Sequence, residues 1–331
     1  MKAKLSLLFG ALVGCGLFWL AFRNIDLAAT LELCRRAGPR WFAPMTAVIF
    51  GSLLIRGVRW KLLLDPAAPV RYLDAVRLEA AGLALNNVLP LRLGEVFRGT
   101  AGAKVFGLPV VTVFATIAVE RAVDVITLFG MLLAAAAAGA SATGFLRLAY
   151  LWPVAGGLAA GVGALVFADE IVSHRFFSGF FARFPRVKGL FENLALGVRA
   201  FHSPLTAALV LASAFAQWTL EAAGFFVLGR AFGIGKIVTM AKGAVLIFTA
   251  ALACSVPGMP GYFGNFEATI AKVLASWGVP LETGLALAAY GHVANYVVVT
   301  AVGLVCAYQL GHSLSGIWAQ FGGGKKEGDA R

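Results

Sequence analysis

The sequence predicts an all-α, polytopic membrane protein. Three observations carry the prediction. Of 331 residues, 60% are hydrophobic, and the mean hydropathy is +0.84. Charged residues make up 13%, against ~25% in a soluble domain. Apolar runs long enough to cross a bilayer, ~20 residues, recur along the chain, and no polar block between them is long enough to be a soluble domain.

Residues 5–22 read as a first spanning helix. The opening MKAKLSLLFGALVGC imitates a signal peptide, but the apolar run continues to Phe22. A cleaved signal ends its hydrophobic region near the cut, so an uncleaved helix is expected. Residues 41–64, 108–140, 146–167, 204–231 and 281–310 are the other full spans. Two apolar runs are shorter. The run 78–91 is interrupted by Glu79, Asn86 and Asn87 and closes at Pro90. The run 244–256 lies between Lys242 and Pro257-Gly258-Met259-Pro260-Gly261. Both are expected to be re-entrant or broken helices, which are tolerated at membrane depth only when buried in protein or facing water. The expected fold is about six full spans plus two re-entrant elements, in a single transmembrane domain over 1–315 with a short polar tail, 316–331.

Loop charge favours re-entry over two extra crossings. With the N-terminus and its Lys2 and Lys4 inside, re-entry keeps Arg175, Arg183, Arg186, Lys188 and Arg199 inside. It does the same for Arg71, Arg77, Lys325 and Lys326, as the positive-inside rule requires. The segment 23–40, with Arg23, Arg35, Arg36 and Arg40, disagrees and falls outside either way.

A faint internal echo accompanies this topology. An offset of 170 carries Pro90 onto Pro260, Gly94 onto Gly264 and Glu95 onto Asn265. An offset of 171 carries Pro109 onto Pro280, Arg121 onto His292 and Asp124 onto Asn295. Repeat halves of about 41–140 and 204–310, entering from opposite faces, would make an inverted repeat, a common transporter device. Few identities carry it. In 173–203, Phe and Leu alternate with Arg and Lys. That pattern suits an interfacial amphipathic helix, or a basic loop whose Phe residues pack on neighbouring helices.

The net charge is +12. In a membrane chain this marks cytoplasmic loops and anionic lipid head groups. No Lys/Arg cluster forms the soluble stripe that nucleic-acid binding uses, so no nucleic-acid partner is expected. Cys15, Cys34, Cys254 and Cys306 form no CxxC and no Cys/His set at metal spacing. They read as packing residues, and no metal or cofactor is expected.

Three stretches carry candidate chemistry. In NNVLPLRLGEVFRG, Asn86 and Asn87 sit at a break, and Arg92, Glu95 and Arg98 follow at i, i+3 and i+6. Ionisable groups at the bilayer centre cost ~2.5–3.5 kcal/mol each on insertion scales, so these cannot face lipid. A helix after Pro90 would align them on one side, and Arg suits bidentate phosphate contact. A structural salt-bridge cluster is the competing reading. In SVPGMPGYFGNFEATIAK, the prolines and glycines forbid regular helix, and Gly264, Asn265 and Glu267 open a short one. Backbone N–H groups at such a start can face an anion, which Glu267 would oppose unless Arg or Lys balances it. In VERAVDVI, Glu120 and Asp124 share a helix face and Arg121 can pair with Asp124. They read as a polar path or as an ion cluster that fixes helix packing. Weaker candidates are Arg56 and Arg59, where snorkelling is favoured, and His292, favoured as a packed helix residue. Glu221 is expected to face the interior. GxSxG, HExxH and Walker loops are absent from the sequence.

The order RxxRW (Arg56–Trp60), NxxLPxRxGExxR (Asn86–Arg98), ERxxD (Glu120–Asp124) and PGxxGxxxxxE (Pro257–Glu267) resembles the transmembrane region of lysylphosphatidylglycerol synthases and their stand-alone, flippase-like relatives. The resemblance covers nearly the whole chain. It implies a bacterial or archaeal cytoplasmic-membrane protein that moves an anionic phospholipid or lipid-linked sugar between leaflets, without enzymatic activity. From the intramembrane charge and the broken helices, Arg92 and Arg98 are expected to hold a head-group phosphate near Asn86, Asn87, Glu95, Gly264, Asn265 and Glu267. Glu120, Arg121, Asp124, Arg56, Arg59 and His292 line or gate the path. An envelope-lipid synthesis enzyme is an expected partner. The alternatives are a membrane-embedded enzyme or enzyme partner in lipid-linked glycan or hopanoid synthesis, and a non-transporting scaffold.

Overall fold

Four long helices frame the molecule, and two bent pairs of short ones fill it. A computed structural model describes residues 27–89, 92–140, 156, 183, 185–255 and 262–311. The expected spans 5–22 and, apart from residue 156, 146–167, the breakers Pro90 and 257–261, and the tail lie outside the described residues.

Among the described residues the elements are ten α-helices and two 3-10 turns, with no strand. In chain order the helices are α1 (Leu27–Ala37), α2 (Phe42–Leu64), α3 (Tyr72–Val88), α4 (Leu93–Phe106) and α5 (Val110–Ala137). Then come α6 (Pro185–Val198), α7 (Pro204–Ala231), α8 (Met240–Ser255), α9 (Asn265–Ser276) and α10 (Leu281–Gln309). Three are long and apolar enough to cross a membrane: Pro39–Leu64, Pro204–Ala231 and Leu281–Gln309. The 28-residue α5 is as long but carries Glu120, Arg121 and Asp124 at its centre. At 1.5 Å per residue α2, α5, α7 and α10 run roughly 35–43 Å, beyond the ~30 Å hydrocarbon core.

The surface is inverted relative to a soluble protein. Along α2, Phe50, Leu54 and Val58 are exposed at i, i+4 and i+8, while Ser52, Arg56 and Arg59 are buried. Along α10, Val293, Val297 and Val305 are exposed while His292 is buried. Apolar groups outside and charges inside suit a hydrocarbon solvent.

The short helices are hairpins. At 12–17 residues, they reach only roughly 18–25 Å, short of a bilayer. The first hairpin is α3–α4. A Cβ on Gly94 would fall 1.9 Å from the Gly82 carbonyl and 2.7 Å from the Asn86 nitrogen, and Gly82 lies against Arg98. Residues equidistant from the break therefore touch, as folding back requires. Only glycine permits this approach. The second hairpin is α8–α9, with a glycine contact to α7, where Gly243 packs on the Ala222 carbonyl. Each hairpin has its own apolar core: Leu78, Leu85 and Phe97 with Trp60 for the first, and Val245, Ile270 and Leu274 with Phe225 for the second.

The hairpins enter from opposite ends. α2 and α7 are antiparallel: Gly51 meets Leu220, and Gly224 meets Met45 and Val48. α3 begins where α2 ends, the lower end, with Val76 on Gly57 and the Tyr72 hydroxyl donating to the Leu54 carbonyl at 3.1 Å. α8 begins where α7 ends, the upper end, with Val238 on Gly229. The tips meet between. The expected broken elements are thus two-helix units, longer than the apolar runs that signalled them.

The two sets of four run in parallel order, 23, 17, 14 and 28 residues for α2–α5 and 28, 16, 12 and 29 for α7–α10. Their packing corresponds too: α3 lies on α10 as α8 lies on α5, and α4 on α5 as α9 on α10. Pro109 before α5 and Pro280 before α10 share a backbone conformation, φ −56, ψ 136 and φ −53, ψ 139.

The described part of the basic 23–40 segment forms α1 and a 3-10 turn at the upper end, where α2 begins and the Tyr290 hydroxyl donates to the Gly38 carbonyl at 3.0 Å. Within 173–203, α6 packs on the beginning of α5: Gly197 sits against Thr112, Ala115 and Thr116.

Candidate functional site

The predicted site residues fall into three groups. The largest is a buried ionic network. Arg59 on α2 is wholly buried and pairs with Glu120 at 3.0 Å and Asp124 at 3.1 Å, both on α5. Arg98 on α4, also buried, pairs with Glu79 on α3 at 2.6 Å and with Glu120. Arg56 pairs with Glu221 on α7 at 3.2 Å and lies 3.9 Å from Glu79. Arg121 reaches back to Glu120 at 2.9 Å and Asp124 at 3.4 Å. Glu221 also accepts from Ser52 at 2.6 Å and Gln217 at 2.8 Å, and Asp124 accepts from the Trp218 indole at 2.8 Å. Two indoles shield the cations: Arg98 lies 3.9 Å over Trp60, and Arg56 lies 5.5 Å from the Trp218 centroid.

The charges balance. Four guanidiniums (Arg56, Arg59, Arg98, Arg121) face four carboxylates (Glu79, Glu120, Asp124, Glu221), so the network is neutral with every group ionised. An unpaired charge at such burial would cost several kcal/mol, on the order of the 3–5 that follows when one partner of a buried pair is removed. The network joins α2, α3, α4, α5 and α7 and anchors the first hairpin.

Two expectations are corrected by this geometry. Arg56 and Arg59 do not snorkel, because their partners lie on α5, α3 and α7 rather than at a head-group layer. Arg98 is not aligned with Arg92 on one surface. Helix α4 begins only at Leu93, and Arg92 is left-handed, φ 55, so the i, i+3, i+6 spacing does not run through one helix. Arg98 turns into the network, where both its carboxylate partners are already in place. Glu79 was visible in the sequence only as an interruption of an apolar run, although an intramembrane carboxylate always needs a cation.

The second group is the junction of the hairpin tips. Arg92 Nη2 donates to the Cys254 carbonyl, on the last turn of α8, at 3.0 Å. That carbonyl is one of the orphan acceptors at a helix end, so the first hairpin caps the second. The Arg92 guanidinium lies 5.9 Å from the Tyr262 ring centroid and 3.8 Å from Glu95. Its side chain is 40% exposed. Asn87 donates to Thr300 on α10 at 3.0 Å and is thereby a packing contact. Among the described residues, Asn86 Oδ1 is buried without a hydrogen-bond partner beside Gly94.

The third group surrounds the start of α9. The Gly264 N–H donates to Glu267 Oε2 at 2.7 Å, and Glu267 Oε1 lies 2.5 Å from His292 Nδ1 on α10. Phe263 stacks on the imidazole with centroids 4.5 Å apart, and Phe266 is tilted at 4.7 Å. The expectation of an anion at this helix start is corrected: the Glu267 carboxylate itself takes the Gly264 N–H, and its neighbour is His292 rather than an Arg or Lys. Asn265, the first residue of α9, is half-buried. Tyr262, Phe263 and Glu79 were not among the predicted residues. Of the three, only the intramembrane carboxylate left a signal in the sequence.

Among the described residues no His/Cys/Asp/Glu group could hold a metal ion.

Residues 7–303 match the family model described as the lysylphosphatidylglycerol synthase TM region. A UPF0104 membrane protein of Methanothermobacter thermautotrophicus is 24% identical over 272 residues, which cover 77% of this chain and 79% of that protein. No solved structure matches the chain at a significant level. The match runs through both hairpins and the ionic network, and the chain belongs to the lysylphosphatidylglycerol synthase TM-region family of membrane proteins.

Proposed function

We propose that this protein moves an anionic phospholipid or lipid-linked sugar between the leaflets of the cytoplasmic membrane. The observation that carries the proposal is the meeting of two oppositely entering hairpins at a half-exposed cation, Arg92. A polar head group crossing the hydrocarbon needs a cation and open backbone groups at mid-depth. Arg92 is suited to that task in a way Arg98 is not. Its partners are a carbonyl, the Tyr262 side chain and a carboxylate 3.8 Å away, and with 40% of the side chain exposed donors are left for a phosphate. Glu95 beside it, and Arg121 with its side chain 35% exposed, form the wet margin of the network. The acyl chains stay in the bilayer against the apolar faces of α2, α7 and α10. Asn86, Gly264 and Asn265 lie within the junction or at its margin. No covalent bond is made or broken on this reading, and the enzyme that builds the lipid acts as a separate partner. The parallel helix order of α2–α5 and α7–α10 supports an inverted repeat with the substrate at its interface.

The test is head-group accessibility of anionic lipids in proteoliposomes. Wild-type protein is expected to accelerate equilibration over protein-free vesicles, and Arg92→Ala to lose at least about tenfold of that rate, equivalent to 1.4 kcal/mol. Equal rates for wild type and Arg92→Ala would overturn the proposal.

A further inference from the structure

Glu95 and Glu267 hold the same helical position and do different things. Each is the third residue of the second helix of its hairpin, α4 from Leu93 and α9 from Asn265. A glutamate there characteristically reaches back to the N–H of the residue before the helix, the returning half of a capping box. Glu267 does so: buried, it accepts from the Gly264 N–H at 2.7 Å. Glu95 does not, and the start of α4 has no side-chain cap. Among the described residues its one ion pair is with Arg92, Nη1 to Oε1, at 3.8 Å, and its side chain is 28% exposed. Glu95 is therefore placed for the cation rather than for the helix.

The pair is weak by construction. A separation of 3.8 Å is too long for a hydrogen bond, and water reaches both side chains, so the pair holds only loosely. The contrast is Glu120, which is wholly buried and meets three guanidiniums. The carboxylate is nonetheless not spare. A cation at membrane depth without a counter-charge is costly, and the other partners of Arg92 are the neutral Cys254 carbonyl and Tyr262 ring. Glu95 supplies the missing negative charge, and it does so in the first turn of α4, where the helix dipole favours an anion. A phosphate that approaches Arg92 wants the same place for the same two reasons. It finds a carboxylate there on a flexible stem, close enough to repel it and loosely enough held to turn away.

We infer that Glu95 is the resident counter-ion of the head-group site, facing Arg92 while the site is empty and giving way to the phosphate of an incoming lipid. The inference rests on the placement of the head group at Arg92 in the transport reading. Displacing the carboxylate costs affinity, so Glu95 keeps the phosphate from binding too tightly to leave. Removing its charge leaves Arg92 unmatched and strengthens phosphate binding.

The experiment measures binding by titration calorimetry to full-length, delipidated protein in an uncharged detergent. Two probes are used, dihexanoyl phosphatidylglycerol below its micelle concentration and inorganic phosphate. Glu95→Gln and Glu95→Ala are each expected to lower the dissociation constant by about tenfold. A damaged fold would weaken binding, so a gain separates this role from a structural one. In an Arg92→Ala background the gain from Glu95→Gln is expected to shrink below about twofold, the non-additivity of two groups that act on one contact. A gain with both probes supports the inference with the phosphate group itself as ligand. A gain with the lipid alone supports it with the whole head group as ligand. Equal or weaker lipid binding in both Glu95 variants overturns it, whatever inorganic phosphate does, and so does a gain undiminished by Arg92→Ala. Binding without the gain sinks this inference and leaves the transport reading standing. Failure of every protein to bind either probe sinks the head-group site at Arg92 and this inference with it.

Discussion

Arg92 and Tyr262 are the two non-glycine residues with positive φ among the described residues, at 55° and 62°, and they face each other across the hairpin tips with 5.9 Å between guanidinium carbon and ring centroid. They stand 170 positions apart (262 − 92), the same offset that relates Gly94 to Gly264. Arg92 immediately precedes α4, and Tyr262 stands three positions before Asn265, the first residue of α9. A left-handed backbone costs a bulky residue on the order of 1–3 kcal/mol, so two such residues in contact mark a place where position outweighs local comfort.

Arg92→Gly separates strain from function. Glycine adopts the same φ freely, so thermal stability in detergent is expected to fall by less than about 1 kcal/mol or to rise. Lipid equilibration should nevertheless drop as in Arg92→Ala. Arg92→Lys keeps the charge but not the fork, and should recover only part of the rate. Full activity in the glycine variant would show that the cation at the tips is dispensable.

Glu120→Gln should be among the most damaging single changes in the network. It removes a carboxylate shared by Arg59, Arg98 and Arg121 and leaves buried positive charge unmatched, a loss of about 3–5 kcal/mol. Arg121→Ala should cost less, because that side chain is 35% exposed and water replaces part of its environment. Unfolding midpoints of the two variants in detergent provide the comparison, and equal midpoints would contradict the burial.

Much of the frame was legible beforehand. The bounds of α7 fall where hydropathy places them, and α2, α5 and α10 agree within three residues at each end. The hairpins announced themselves as charge and proline inside apolar runs. What stayed hidden depends on partners distant in sequence. Nothing local to Arg59 reveals Glu120, 61 positions on, or to Arg56 reveals Glu221, 165 positions on. Arg98 was misaligned because one left-handed residue, Arg92, resets the helical phase. Tyr262 was hidden in a loop whose prolines and glycines spoke only of a turn.

Gly94→Ala should open the first hairpin. The added methyl would lie 1.9 Å from the Gly82 carbonyl, a backbone atom that cannot swing aside. Overpacking of this kind costs about 1–3 kcal/mol or more. Gly130→Ala is the control: an added methyl there, in α5, would meet nothing within 4 Å, and alanine favours helix by ~1 kcal/mol. Thermal unfolding should move in opposite directions in the two variants.

Re-entry itself makes a sided prediction. If α3 and α4 fold back, Arg71 before α3 and Lys104 near the end of α4 lie at the same membrane face. If α8 and α9 fold back from the other end, Lys242 and Ser276 share the opposite face. Single cysteines at these four positions, in a background without the native ones, can be challenged with a membrane-impermeant maleimide in oriented vesicles. Arg71→Cys and Lys104→Cys should be blocked from one side, and Lys242→Cys and Ser276→Cys from the other. A straight crossing through 72–106 would instead put the first two on different sides. Their labelling would then separate, and Arg92 would lose its place between two tips, because an element that threads the bilayer has no tip to bring there.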